Sequence, residues 1–381
     1  MTKQLNSLEI LKRLIAIPSF VGDNNNERKL AEWIYIAIKN SGLAVKKQYI
    51  DKQRFNILAG NLTNPKILVA GHMDTVIPPE GWKTNPFVPV QESGLVYGSG
   101  ASDMKAGLSV MISTLVNSKP DNALFLFYCD EEYDFLGMKY FIGEFKNKFN
   151  PSLILSMDGE NLQVGNACRG LIEITLIVRG KSGHSGNPDS GINAIAKSIT
   201  AFAQLESWLK SYKTPELGQS TMNIAYVNGG SLVSRKNKFP LLSREGNVIP
   251  DYCEIVLEIR PSNQKLDLEI ILRQVKKMLN QQQLKLEKAT IRHGLKSWIT
   301  PKNKLNRILK LLPNKSLADP MKAGYLDIQL LCEQFIKATA LSFGPSEPGA
   351  AHTANEFVKI TNIRKSENFL IRILNDKILF T

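Results

Sequence analysis

The strongest constraint on what this chain can fold into is an alternation, across residues 1–160, of short apolar runs with helical patterns. Leu5–Ile17 and Glu27–Ser41 carry apolar residues three and four apart, the spacing of one buried helix face. Runs of strand length follow at Phe55–Ala59, Ile67–Ala70, Ala123–Tyr128 and Leu153–Leu155. Helical stretches Leu108–Val116 and Leu136–Phe145 lie between the later runs. Strand–helix–strand order predicts a largely parallel sheet covered by helices, an α/β architecture.

From Leu171 the pattern changes. Leu171–Val178 alternates as a strand, and Ala194–Leu209 reads as a long helix opened by Asn187-Pro188 and Gly191. Strand patterns follow at Met222–Val227, Asn247–Ile249 and Cys253–Ile259, with Asn228-Gly229-Gly230 as punctuation. Leu266–Leu279 is helical again and Leu284–Ile291 reads as a strand. Two long helices against three or four strands predict a small α+β sandwich of the ferredoxin-like kind. After His293 the chain returns to helix, the strand Thr339–Phe343 and a terminal helix. The expected organisation is therefore a first domain in two parts, 1–169 and 293–381, with residues 170–292 inserted between them.

Composition narrows the class. A chain of 381 residues accommodates two or three domains, and 43% hydrophobic with 22% charged residues fits a globular protein with an ample core. No apolar run reaches the roughly 18 residues of a membrane span. The start carries Lys3, Glu9, Lys12 and Arg13 at helical spacing rather than a signal peptide's apolar centre. Cys129, Cys168, Cys253 and Cys332 are far apart, without the spacing of a disulfide scaffold or thiolate zinc site, so a cytoplasmic protein is expected. The net charge of +13 comes from scattered lysines. Their one cluster, Lys302, Lys304, Arg307, Lys310 and Lys315, lacks interleaved aromatics and reads as a solvated helix face, not a nucleic-acid site.

Three predicted strands end in ligand-type side chains. Ile67–Ala70 runs into Gly71-His72-Met73-Asp74, Ala123–Tyr128 into Asp130-Glu131-Glu132, and Leu153–Leu155 into Asp158. Ligands of open α/β sheets bind beyond the carboxyl ends of strands, so these groups can converge on one cleft. Asp103 lies in a loop opening the helix near Met104. Taken singly, Asp103 could be a helix cap and Glu131 and Glu132 surface charges. Together, carboxylates and imidazoles without a thiolate suit a catalytic zinc site with an open position for water, and would equally accept cobalt or manganese. Clustered acids cannot all stay ionised in a cleft without offsetting cations. Asp74, two residues from His72, can orient its ring. No dinucleotide fingerprint, phosphate loop or nucleophilic serine elbow survives inspection.

Gly71-His72-Met73-Asp74-Thr75-Val76, Gly98–Gly107, Asp130-Glu131-Glu132, Asp158-Gly159, Gly183-His184-Ser185 and Ala351-His352-Thr353-Ala354-Asn355-Glu356 resemble the motifs of one family. It is the dinuclear-zinc metallohydrolases of aminoacylase, acetylornithine deacetylase, succinyl-diaminopimelate desuccinylase and related carboxypeptidases and dipeptidases. The resemblance implies a mainly parallel-sheet catalytic domain with an inserted dimerisation domain. It implies two Zn2+ per chain, one on His72, Asp103 and Asp158, the other on Asp103, Glu132 and His352. Glu131 matches the family's general base, Asp74 the orienting acid, and Asp103–Met104 a cis peptide. His184 matches a histidine that reaches the neighbouring subunit's active site to stabilise the oxyanion, which implies a homodimer through the inserted domain. From spacing alone His184 is a loop histidine near a helix start, and His293 a surface or inter-domain residue.

Substrate carboxylates call for arginine and amide donors. By resemblance these are Arg169, Arg260 and Asn247, with Gly324 in Ala323-Gly324-Tyr325-Leu326-Asp327. There Tyr325 and Leu326 replace the small hydroxyl residues of the desuccinylase branch, which points away from succinyl-diaminopimelate. The expected reaction is removal of the acyl group from a small-molecule N-acyl amino acid. A dipeptidase or carboxypeptidase is the neighbouring alternative, and a non-catalytic binding module the distant one.

Overall fold

The computed structural model describes residues 6–22, 25–236, 239–312, 316–322, 324, 326 and 328–376. Lys3, Lys315, Ala323, Tyr325 and Asp327 lie outside the described residues. The chain divides into two compact units, one of Met1–Asn166, Thr300–Asp319 and Leu326–Thr381, the other of Ala167–Ile299 and Pro320–Tyr325. The return of 320–325 to the second unit had no signal in composition or periodicity.

The first unit is built on a six-stranded sheet. Its order is Val45–Tyr49, Phe55–Gly60, Ala123–Tyr128, Ile67–His72, Leu153–Ser156 and Thr339–Ser342. The last four run parallel and the first two form an antiparallel edge. Ile67–His72 and Ala123–Tyr128 are buried at every position, as strands covered on both faces must be. The helix Ala106–Ser118 is buried from Ala106 to Leu115. Its close seat depends on two glycines. A β-carbon at Gly71 would stand 2.7 Å from Met104 Cε, and one at Gly107 would stand 2.5 Å from the carbonyl oxygen of Met157. The first helix, Ser7–Ile15, is capped by Asn6, whose side chain accepts from Leu8 N at 2.8 Å, and buries Ile10, Leu11, Leu14 and Ile15.

The second unit carries an antiparallel sheet ordered Phe239–Ser243, Thr221–Lys236, Tyr252–Arg260, Leu171–Arg179 and Lys285–Leu295. Without the hairpin strand Phe239–Ser243, its sequence and spatial order are those of a ferredoxin-like βαββαβ unit. The helices Ala194–Lys210 and Leu268–Gln281, capped by Asn193 and Asp267, pack on this sheet around Phe202, Leu205, Ile255, Leu257 and Val275. The strand expected at Asn247–Ile249 is not one. Asn247 lies in a turn, Val248 makes a single bridge to His184, and Gly246 and Pro250 interrupt extended pairing on either side. The strand pattern at Met222–Val227 proves to be part of a 16-residue strand, with Gly229 and Gly230 inside it rather than ending it.

Candidate active site

In the first unit, loops at the carboxyl ends of the parallel strands bring His72, Asp74, Asp103, Glu131, Glu132, Asp158 and His352 to one place. His72 closes the central strand and Asp103 precedes the buried helix. Glu131 and Glu132 follow Ala123–Tyr128, Asp158 follows Leu153–Ser156, and His352 lies in the loop beyond Thr339–Ser342. The Asp103–Met104 peptide is cis.

His72 donates from Nδ1 to the carbonyl oxygen of Asp74 at 3.0 Å, since a carbonyl can only accept. In the neutral ring Nε2 then carries the lone pair, and it faces Asp103 Oδ1 at 3.0 Å and Asp158 Oδ2 at 4.0 Å. The Asp74 carboxylate stands farther from Nδ1, at 3.6 Å, because its oxygens are engaged elsewhere. Oδ1 accepts from Glu131 N and Oδ2 from Glu132 N, both at 3.0 Å. Asp74 therefore holds the backbone of both glutamates. His352 Nε2 lies 3.0 Å from Glu132 Oε1 and 3.3 Å from Asp103 Oδ2, so Asp103 reaches both imidazoles through different oxygens.

The electrostatics call for positive charge. Burial lowers the pKa of His72, but its bonds to Asp103 and Asp74 outweigh burial and hold it well above the ordinary imidazole value. His352, half exposed, is pushed up to about 10 by Asp103 and Glu132. Burial would raise the Asp103 carboxyl, yet the two imidazoles hold it below the ordinary carboxylate range. A cage that draws protons onto two histidines would be satisfied equally by metal cations.

The donor set fits such ions. Ligand atoms of His72, Asp103 and Glu132 all lie within 4.8 Å of one another. Donors about 2.0–2.2 Å from a tetrahedral zinc lie roughly 3.3–3.6 Å apart, close to the 3.0–3.3 Å separations of these imidazole and carboxylate atoms.

Several supporting residues had no role assigned from the sequence. Glu356 is buried, and its carboxylate accepts from Gly100 N at 2.7 Å and from Ser102 N and Asp103 N at 2.8 Å, anchoring the Asp103 loop. Arg54 bonds Glu27 and Asp130 behind the glutamate loop. Lys105 is buried and donates to the carbonyl of Ile17 at 3.1 Å, and burial lowers its pKa to about 7. Glu356 stood in a recognised motif, but its bonding partners lie about 250 residues away, beyond local pattern.

The remaining expected residues belong to the second unit. His184 is exposed and its Nδ1 accepts from Gly186 N at 3.0 Å, which leaves the proton of the neutral ring on Nε2. Asn247 lies beside it, with Ser185 N donating to the Asn247 carbonyl at 2.9 Å. Arg169 Nε donates to Leu217 O at 3.0 Å, and Arg260 Nε to Glu258 Oε1 at 2.9 Å. Gly324 is exposed in the segment 320–325. His293, read from the sequence as a surface or inter-domain residue, is not at the surface but buried on the strand Lys285–Leu295.

Fold and site together define a metallopeptidase-type hydrolase acting on amide bonds. Residues 68–376 match the family model described as peptidase family M20/M25/M40, and the chain belongs to that family. It is 31% identical over 277 residues to acetylornithine deacetylase of Proteus mirabilis (strain HI4320), covering 67% of this chain and 66% of that one. Acetylornithine deacetylase of Buchnera aphidicola subsp. Schizaphis graminum is 25% identical over 394 residues, covering 97% of each chain. The fold is similar to that of the M20 family metallo-carboxypeptidase Sso-CP2 from Sulfolobus solfataricus, with TM-score 0.73, 17% identity and 97% and 98% of the two chains covered. Among the described residues no helix is long and apolar enough to cross a membrane.

Proposed function

We propose that this chain is a dinuclear metal-dependent amidohydrolase that removes the acyl group from an N-acyl amino acid. The observation that carries the reading is Asp103 standing between His72 and His352, with Glu131 beside Glu132 in a loop held by Asp74. The acetylornithine deacetylases among its relatives support an N-acyl amino acid as the substrate class.

His72, Asp103 and Asp158 would hold one ion, and Asp103, Glu132 and His352 the other. Zn2+ is the proposed metal, with Co2+ or Mn2+ as substitutes. When bound, such ions lower the pKa of water and polarise a carbonyl. Glu131 would take the proton of the attacking water and return it to the leaving nitrogen. Asp74 keeps Glu131 in place through the loop amides. His184 presents an Nε2–H donor suited to a developing oxyanion, supplied from the partner copy of a homodimer. Arg169, Asn247, Arg260 and the backbone at Gly324 would receive the substrate carboxylate.

Dimerisation is supported by the second unit's sheet. Residues 221–230 pair with Tyr252–Arg260 on one side, while the hairpin strand joins only from Ser231 onward. Ile224, Tyr226 and Val227 are exposed along that stretch, an edge suited to a second copy.

The test is amine release from N-acetylornithine, N-succinyl-diaminopimelate and a set of dipeptides by zinc-loaded protein, with metal content measured by elemental analysis. Two ions per chain and preference for an acylated amino acid are expected. Preference for dipeptides would convert the reading to a dipeptidase. Glu131→Gln should keep both ions and lose about 10²–10⁴-fold in turnover. Substantial activity in that variant would remove Glu131 from the role.

A further inference from the structure

We propose that Arg54, backed by Glu27, is a positioning residue that sets the loop carrying Glu131 and Glu132. This rests on the reading of Glu131 as the base. The loop leaves its strand abruptly, since Asp130 has φ of +70°, a left-handed conformation that a non-glycine residue adopts only when its surroundings hold it there. The Asp130 carboxylate is the holding group. Oδ2 accepts from Asp134 N and Leu136 N, both at 3.1 Å, and closes the turn on the far side of the glutamates. Oδ1 accepts from Arg54 Nη2 at 2.7 Å.

Arg54 is in turn fixed from behind. The same Nη2 lies 2.6 Å from Glu27 Oε1, and Nε lies 3.2 and 3.1 Å from the two Glu27 oxygens, a forked pairing. The Arg54 side chain is 12% exposed and those of Glu27 and Asp130 are 1% and 4% exposed. Glu27 sits at the start of the helix Arg28–Asn40, and Arg54 directly precedes the strand Phe55–Gly60. The ion cluster thus ties the glutamate loop to a helix and to the antiparallel edge of the sheet, independently of the Asp74 contact.

A buried ion pair is a weak device for stability, because desolvation consumes most of the attraction. Its geometry is the stronger asset, since a guanidinium fork fixes direction as well as distance. Removing the cation would leave Glu27 and Asp130 facing each other out of water. The loop carrying Glu131 and Glu132 would keep its Asp74 contacts but lose the outside anchor on Asp130.

The experiment uses the full-length chain as Arg54→Met, Arg54→Lys and Glu27→Gln, each judged folded by circular dichroism and thermal melting. Amide hydrogen exchange over residues 130–136 should quicken about tenfold or more in Arg54→Met, with protection of the strand Ile67–His72 unchanged. In zinc-loaded protein, kcat on N-acetylornithine, or on whichever substrate the panel selects, should fall about ten- to hundredfold with KM within about twofold. Arg54→Lys should recover part of both losses. If Arg54→Met does not fold, the Lys and Gln variants carry the same comparison. Unchanged exchange and kcat in the folded variants, or losses that follow melting temperature alone without Lys rescue, would overturn the proposal. A wild-type chain that cleaves none of the panel would defeat the reading of Glu131, and the exchange measurement would still decide the positioning.

Discussion

Replacing Gly107 by alanine sets two effects of opposite sign against each other. In a helix interior, Gly→Ala favours folding by up to about 1 kcal/mol. Gly107, however, is the second residue of the helix Ala106–Ser118, where its missing side chain lets the helix approach the strand end at Met157. A β-carbon there would stand 2.5 Å from Met157 O and 2.8 Å from Met104 Cε. Relaxed contact lies near about 3.5 Å, so the overlap is roughly 1 Å. The obstructing oxygen is backbone, and its residue is fixed by Met157 N donating to Ala70 O at 2.9 Å. Overpacking of this kind costs about 1–3 kcal/mol, so the net change should be destabilising by up to about 2 kcal/mol. The functional cost should be larger. The clash drives apart Asp103, four residues before Gly107, and Asp158, next to Met157, and a 1 Å misplacement can cost about 10²-fold in rate. Gly143→Ala is the matched control. It lies in the helix Leu136–Phe145, where among the described residues no atom beyond its chain neighbours and the backbone of its own helix lies within 4 Å of the added carbon, and should gain about 0.5–1 kcal/mol. Urea midpoints and turnover of both variants decide the matter. A Gly107→Ala chain as stable as Gly143→Ala, with full activity, would refute the steric account.

Two further outcomes follow from other parts of the molecule. Burial, with Asp74 adding to it, raises the Glu27 carboxyl from 4.5 to about 7 against the pull of Arg54. An acid raised on folding lends stability that is complete below its unfolded pKa and lost as pH rises through its folded pKa. The metal-free wild-type chain should therefore lose about 3 kcal/mol more than Glu27→Gln between pH 4.5 and 8 by urea denaturation, and parallel curves would exclude this titration. Val227→Lys, on the exposed edge of the second unit's sheet, should convert a dimer to monomers in sedimentation. An unchanged mass would place any dimer contact elsewhere.

The parts of this structure legible in sequence were those whose signal is local. The buried parallel strands Ile67–His72 and Ala123–Tyr128 read as continuous apolar runs, and the side chains placed after them stand where a strand's carboxyl end must put them. The edge strand Val45–Tyr49 was invisible because it carries only one buried residue, Gln48, which is polar. Gly229 and Gly230 read as a break because glycine usually punctuates. Within the long strand they are sites of close approach, where a β-carbon would meet Ile195 Cγ1 at 2.6 Å or Ser243 O at 2.7 Å. Arg54 was unreadable for a different reason. Its partners lie 27 and 76 residues away, and an arginine before a strand is ordinarily a surface residue.

These omissions share a physical cause. A ligand carboxylate can point into a cleft only if the backbone behind it is fixed, and loop backbone has no ladder to satisfy its N–H groups. Buried carboxylates do that work here at three places. Asp74 takes the amides of Glu131 and Glu132, Asp130 those of Asp134 and Leu136, and Glu356 those of Gly100, Ser102 and Asp103. Burial pushes the Glu356 carboxyl up to about 7. Burial would raise Asp74 too, yet His72 holds it below the ordinary carboxylate range, so Asp74 adds negative charge to a site already rich in it. Arg54 offsets part of that charge. The balance left over falls on His72 and His352, whose pKa values rise in response. Divalent cations in the site would thus stabilise the loops behind it as well as the ligands around it. Metal binding would then couple to loop order, because cations would relieve the surplus of negative charge that the loops carry.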